Sequence, residues 1–159
     1  FVGLFSARGY NIESLTVAET DRAAHTSRIT VVTRGDPATI DQIKSQLDRI
    51  VSVRQVIDVT MDPGGVLREL ALVKVRSTGQ DRIEALRVSD IFRAKVIDTT
   101  LESFIFEVTG ASEKIDAFIE LVRPIGLLEL SRTGVLSIHR GVETDLSAVM
   151  TPAPIASTR

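Results

Sequence analysis

The chain has 159 residues, with 19 Lys and Arg against 21 Asp and Glu, a formal net charge of −2. Its 43 % apolar and 25 % charged composition is that of an ordinary globular chain, long enough to bury one core of average size or two small ones. A near-neutral balance without a basic run argues against binding nucleic acid through phosphate contacts. No apolar stretch reaches the roughly 18 residues of a membrane-spanning helix, and with no Cys there is no disulfide framework, thiolate metal site or Cys nucleophile.

Phe1, Val2, Leu4 and Phe5 read as the last turns of a helix, and Gly9 as its stop, because Gly tolerates the left-handed conformation. The chain is therefore expected to be a fragment whose first element lies upstream. Asn11 to Glu19 reads as a strand, Thr20 to His25 as a polar turn, and the β-branched run Arg28 to Thr33 as the second strand of a hairpin. Asp36-Pro37 opens a helix, with Asp accepting from free N–H groups and Pro at the first helical position. Ile40, Ile43, Leu47 and Ile50 give that helix one apolar stripe. Val53 to Thr60 completes the half as a strand.

Asp62-Pro63-Gly64-Gly65 is the turn-rich cluster of the middle and marks the boundary between domains. Beyond it, Glu69 to Arg76 reads as a central strand. Gln80 to Arg93 reads as a helix with Ile83, Leu86 and Phe92 facing inward. Lys95 to Thr100 and Phe104 to Thr109 are strands. Ser112 is expected to cap an amphipathic helix carrying Ile115, Phe118, Ile119 and Val122, ended by Pro124-Gly126. Leu127 to Ser131 and Val135 to Ile138 are further strands.

The two halves share an order, and Leu4-Phe5-Ser6-Ala7 answers Ile91-Phe92-Arg93-Ala94. This predicts an α+β protein of two ferredoxin-like βαββαβ domains, the first lacking its opening strand. The expected boundaries are 1–61 for the first domain, 62–67 for a linker and 68–141 for the second. Residues 142–159, with Pro152 and Pro154, are expected to form a flexible tail.

No catalytic constellation stands out. His25 lies in a polar turn and His139 at the end of a late strand, each without a motif partner, and two lone His do not make a zinc site. Gly64-Gly65 lacks the strand–loop–helix context of a phosphate loop. Glu13, Asp21, Glu69, Asp98 and Glu107 read as solvated or sheet-edge charges. Phe5, Phe92, Phe104, Phe106 and Phe118 fit core positions rather than a base-stacking platform. One stretch stands apart, Arg8-Gly9-Tyr10-Asn11-Ile12-Glu13-Ser14-Leu15, at a helix-to-strand junction. A backbone amide and the Asn11 side chain there could recognise an amino acid's ammonium and carboxylate, since an amide group both donates and accepts. The alternative reading is that Asn11 is a turn residue only.

At this stretch the residues become recognisable. The block from Gly3 to Val17, G-L-F-S-A-R-G-Y-N-I-E-S-L-T-V, resembles the first-domain signature of the small, regulatory subunit of acetolactate synthase (acetohydroxyacid synthase). The resemblance continues through Arg28-Ile29-Thr30, Gln42-Ile43 to Gln46-Leu47, and Arg68-Glu69-Leu70-Ala71-Leu72-Val73-Lys74-Val75. It resumes at Ile91-Phe92-Arg93-Ala94, Val96-Ile97-Asp98, Lys114 to Phe118, Arg132-Thr133-Gly134-Val135 and Arg140-Gly141, and so spans about residues 1–141.

It implies an N-terminal ACT domain and a C-terminal ACT-like domain with no chemistry and no cofactor of their own. The implied partner is the large catalytic subunit, where thiamine diphosphate, Mg and FAD are expected. The small subunit of the family activates that partner and confers feedback inhibition by valine or another branched-chain amino acid. It also implies a cytoplasmic homodimer formed by side-by-side ACT domains, without nucleic-acid or membrane partners. The effector sits at that seam, between a strand–helix loop of one domain and an Asn-Ile junction of the other. Asn11 and Ile12 match the junction; the matching loop would lie upstream of Phe1. A free-standing amino-acid sensor acting on another protein is the competing function.

Overall fold

The computed structural model describes residues 2–61 and 64–141. Phe1, the Asp62-Pro63 pair of the expected boundary turn, and the tail expected over 142–159 lie outside the described residues. The chain divides into two compact units, one of Phe1–Val66 with Ser137–Arg159 and the other of Leu67–Leu136.

In the first unit a short helix α1 (Val2–Ala7) turns into strand β1 (Asn11–Asp21). Gly9 makes the turn at φ +70°, its N–H donating to the Ser6 carbonyl and that of Tyr10 to the Phe5 carbonyl. Strand β1 pairs antiparallel with β2 (Thr26–Arg34), from Asn11 opposite Arg34 to Asp21 opposite Thr26. The Asp21 carboxylate closes the hairpin by accepting from the N–H groups of Ala23 and Ala24, and His25 takes φ 49° at the tip. Helix α2 (Pro37–Asp48) begins as its sequence dictates: Asp36 accepts from the Thr39 N–H at 2.7 Å, and this bond holds its carboxyl below the ordinary value. Ile43 and Leu47 bury against Phe5, with Ile12, Val31, Ile40, Ile50 and Val56 packed around them.

The strand expected at Val53 to Thr60 is absent. That segment is irregular and ends in a single 3-10 turn at Val59–Met61. In the second unit the closing strand pairs with the opening strand of its own βαββαβ plan; among the described residues Val53–Thr60 forms no such ladder. Val56 still packs on the core, so the segment keeps its burial without its pairing.

The second unit runs β3 (Val66–Arg76), α3 (Gly79–Ile91), β4 (Lys95–Thr99), β5 (Ser103–Gly110), α4 (Ser112–Gly126) and β6 (Leu127–Arg132); a short β7 (Leu136–Ile138) falls at the division between the units. The strand order β4-β5-β3-β6, antiparallel at each pair, is the split βαβ arrangement. Period-two alternation sends Ala71, Val73 and Val75 of β3 and Phe104, Phe106 and Val108 of β5 to one face. Ile115, Phe118, Ile119 and Val122 of α4 close the core over them, at the helical spacing read from the sequence.

Two expectations fail locally. Helix α3 does not turn Ile83 and Leu86 inward: they are 62 % and 39 % exposed, and Ala85, Val88 and Ser89 occupy the inner face. Phe92, just past the helix, does pack on the core. Small residues suit the inner face because the Arg82 guanidinium already covers the Phe104 ring, 4.1 Å from its centroid. Nor does Ser112 cap α4. Ala111 holds the cap position, and the Ser112 hydroxyl donates instead to Glu69.

Helix α4 passes into β6 with no intervening residue, at Gly126 with φ +145°. A Cβ there would lie 2.6 Å from the Arg76 carbonyl oxygen, which is backbone and cannot swing aside. Gly126→Ala is expected to cost about 2 kcal/mol or more, combining strain with the clash. Urea unfolding of the variant should give a lower midpoint at unchanged slope; an unchanged midpoint refutes the reading.

Candidate functional site

The junction singled out in the sequence is built by the turn from α1 into β1. The rings of Phe5 and Tyr10 meet edge to face at 6.0 Å across it, which fixes the angle between helix and strand. Asn11 is the first residue of β1 and is exposed; its carbonyl accepts from the Thr33 hydroxyl. Ile12 is half-buried, its side chain packed against Phe5, Ile43 and Leu47. Adjacent residues of a strand point to opposite faces. The structure thus places Asn11 and Ile12 side by side, with the amide toward solvent and the aliphatic group toward the core. A bulge follows at Glu13, whose carboxylate pairs with Arg34 of the neighbouring strand.

Among the described residues β1 pairs with no strand but β2, so its other edge has no neighbouring strand. An exposed Asn beside such an edge offers hydrogen bonds of both senses. That suits a small zwitterion or another strand; it supplies no nucleophile and no general base.

A buried cluster of titratable groups lies in the second unit. Glu69 was expected as a solvated charge; its side chain is 4 % exposed. Arg132 grips it bidentately, Nε to Oε1 at 2.7 Å and Nη2 to Oε2 at 2.9 Å, and the Ser112 hydroxyl donates to Oε2 at 3.0 Å. The third guanidinium nitrogen, Nη1, reaches Asp116 at 2.6 Å. The Arg132 hydrogen bonds hold the Glu69 carboxyl below its ordinary value against the opposing effect of burial, with Ser112 helping. Arg132 is raised by the same partners, Glu69 first. Glu69, Ser112, Arg132 and Asp116 bond one another, so the cluster joins β3, α4 and β6. The signal that could have revealed it is the alternation of β3, which puts Glu69 in phase with Ala71, Val73 and Val75.

His25 is exposed at the hairpin tip and His139 half-buried, far apart in sequence as expected. Among the described residues no three of His, Cys, Asp and Glu are grouped to hold a metal ion, and no helix is long and apolar enough to cross a membrane.

Comparison with known proteins agrees along the chain. Residues 68–141 match the family described as the small subunit of acetolactate synthase, and residues 1–55 the AHAS small subunit-like ACT domain. A probable acetolactate synthase small subunit of Archaeoglobus fulgidus is 42 % identical over 139 residues, covering 87 % of this chain and 86 % of that one. The acetolactate synthase isozyme 3 small subunit of Escherichia coli is 42 % identical over 141 residues, 88 % and 85 % of the two chains. The crystal structure of the acetolactate synthase small subunit from Thermotoga maritima superposes with a TM-score of 0.79 at 38 % identity, covering 89 % of this chain and 87 % of that one.

Proposed function

The chain belongs to the acetolactate synthase small-subunit family, and we propose that it is the non-catalytic regulatory subunit of that enzyme. In this reading it binds the large catalytic subunit, raises its activity, and makes it sensitive to feedback inhibition by valine or another branched-chain amino acid. The catalytic subunit carries thiamine diphosphate, Mg and FAD. The observation that carries the reading is identity of 42 % to acetolactate synthase small subunits over most of both chains.

The first unit supports an effector role in physical terms. Two copies meeting along the edge of β1 that faces away from β2 would make one larger sheet, a two-fold pairing that uses the same patch on each copy. Asn11 stands at the start of that edge, where its amide can hold a carboxylate and an ammonium at once. Ile12 supplies backbone at the same place, and its side chain anchors that backbone in the core. A ligand at the seam regulates by binding one arrangement of the two copies better than another. The difference in affinity is the whole of the coupling. The branched side chain of valine adds only a few kcal/mol of apolar discrimination, so the polar groups provide orientation.

The test is a titration of the purified large subunit with this protein, with and without valine. Activity should rise with added protein and fall again with valine. Asn11→Ala should keep the activation and weaken valine inhibition about tenfold or more, the loss of a hydrogen bond to a charged group. No activation of the large subunit would refute the regulatory reading, and unchanged valine affinity by calorimetry would refute the role of Asn11.

A further inference from the structure

The second strand of the hairpin carries one bond that the pairing of β1 with β2 does not require. Arg28, opposite Ala18 in that ladder, donates from Nη2 to the carbonyl oxygen of Ser137 at 2.8 Å, across 109 positions of sequence. From Ser137 onward the chain counts again with the first unit, so the bond lies within that unit and holds its returning segment to the hairpin. Val31 packs on the core of the first unit, and side chains alternate along a strand. Arg28 therefore stands on the opposite face of β2, away from Phe5, Ile43 and Leu47. Ser137 is the middle residue of β7, which pairs with β3. The same three residues are thus held by a backbone ladder and, at their centre, by one side chain.

This bond differs in kind from the pair of Arg132 and Glu69, where breaking contact strands a carboxylate that is only 4 % exposed. The Arg28–Ser137 bond lies in solvent, where water replaces either partner when they separate. Its closed and open forms therefore lie close in free energy. A contact so balanced adds little stability. Its population, however, shifts severalfold with any ligand that favours one form.

We propose that Arg28 is the latch of the effector response. Closed on Ser137, it makes β7 follow the β1–β2 hairpin, so that an amino acid bound at the β1 edge is felt at β3. Open, it lets the hairpin respond alone. The latch rests on the regulatory function proposed above and names the route by which the effector's signal leaves the hairpin.

The experiment uses the whole chain, free and with the large subunit. Hydrogen exchange of residues 136–141 reads the latch, and valine inhibition of the activated complex reads its consequence. Arg28→Met keeps an aliphatic stem and removes the donors, so it should speed exchange of that segment about fivefold or more. It should still activate the large subunit and still bind valine by calorimetry, while maximal inhibition by valine falls by about half or more. Arg28→Lys, which keeps a charged donor, should recover most of the inhibition, and Arg22→Met at the hairpin tip should behave as the parent. In the unsubstituted protein, bound valine should alter exchange at 136–141. Faster exchange in Arg28→Met with parent-like inhibition would show a mere staple and overturn the latch while leaving the regulatory function standing. Unaltered exchange at 136–141 with valine bound would overturn it likewise. Failure of the unsubstituted protein to activate the large subunit would overturn both.

Discussion

Arg132→Ala should destabilise the second unit by about 3 kcal/mol at neutral pH, toward the lower end for breaking a buried pair. The lower end applies because Arg132 keeps 30 % of its side chain in solvent whereas Glu69 keeps only 4 %. Removing the guanidinium strands a carboxylate that the Ser112 hydroxyl alone cannot satisfy. Arg132→Lys should recover little of the loss, since an ammonium cannot reproduce the two parallel bonds to Oε1 and Oε2 or keep the third to Asp116.

The pH dependence separates this account from simple loss of packing. In the intact pair the folded protein holds the Glu69 carboxyl below its ordinary value of 4.5, so the unfolded chain binds the proton more readily. The pair's stabilisation is therefore fully present above that value and is lost as pH falls through the lower, folded one. In Arg132→Ala the main cause of the depression is gone and burial pushes the carboxyl upward, so protonation relieves the variant. The gap between the two proteins, measured by urea unfolding, should narrow from pH 7 to pH 4. A gap constant across that range would show that Arg132 stabilises through its aliphatic stem.

This cluster also marks where the sequence ceased to be legible. The pattern of apolar residues located α2, α4 and β5, because in each the buried side is large and aliphatic or aromatic: Ile43 and Leu47, Ile115 and Phe118, Phe104 and Phe106. It misplaced α3 for the converse reason. The inner stripe Ala85, Val88, Ser89 and Phe92 has helical spacing, but two of its members are small and one of those is polar. The larger Ile83 and Leu86 drew the reading to the wrong face. Glu69 was misread because charge alone says solvent, and only a partner 63 positions away makes its burial tolerable.

Val53 to Thr60 failed differently. Its residues suit a strand, but a strand is a relation between two segments, and propensity speaks for one of them only. The helix-to-strand junction was legible in the sequence, and the orientation of its two side chains only partly. The sequence brought Asn11 and Ile12 to one junction. The alternation of β1, and the pull of Phe5, Ile43 and Leu47 on Ile12, then set their side chains to different tasks.

Phe118→Ala should produce the largest stability loss of any substitution considered. Phe118 is fully buried and stands between two other rings, edge to face with Phe92 at 5.6 Å and with Phe106 at 5.9 Å, while Phe104 lies 5.3 Å beyond Phe106. Truncation removes apolar burial, two ring contacts and the support of α4 against the sheet. It leaves a cavity that β5 and α4 can close only by abandoning their own packing. Phenylalanine-to-alanine changes at such positions cost about 3–5 kcal/mol. For a unit of this size that is a fall of roughly 15–30 °C in its unfolding midpoint. Because the chain divides into two units with separate cores, the loss should appear in calorimetry as a transition of the second unit moving away from that of the first. Phe118→Leu, which keeps most of the volume, should cost less than half as much. A single transition that shifts as a whole in Phe118→Ala would show that the two cores unfold together, and that a lesion in the second is felt at Asn11.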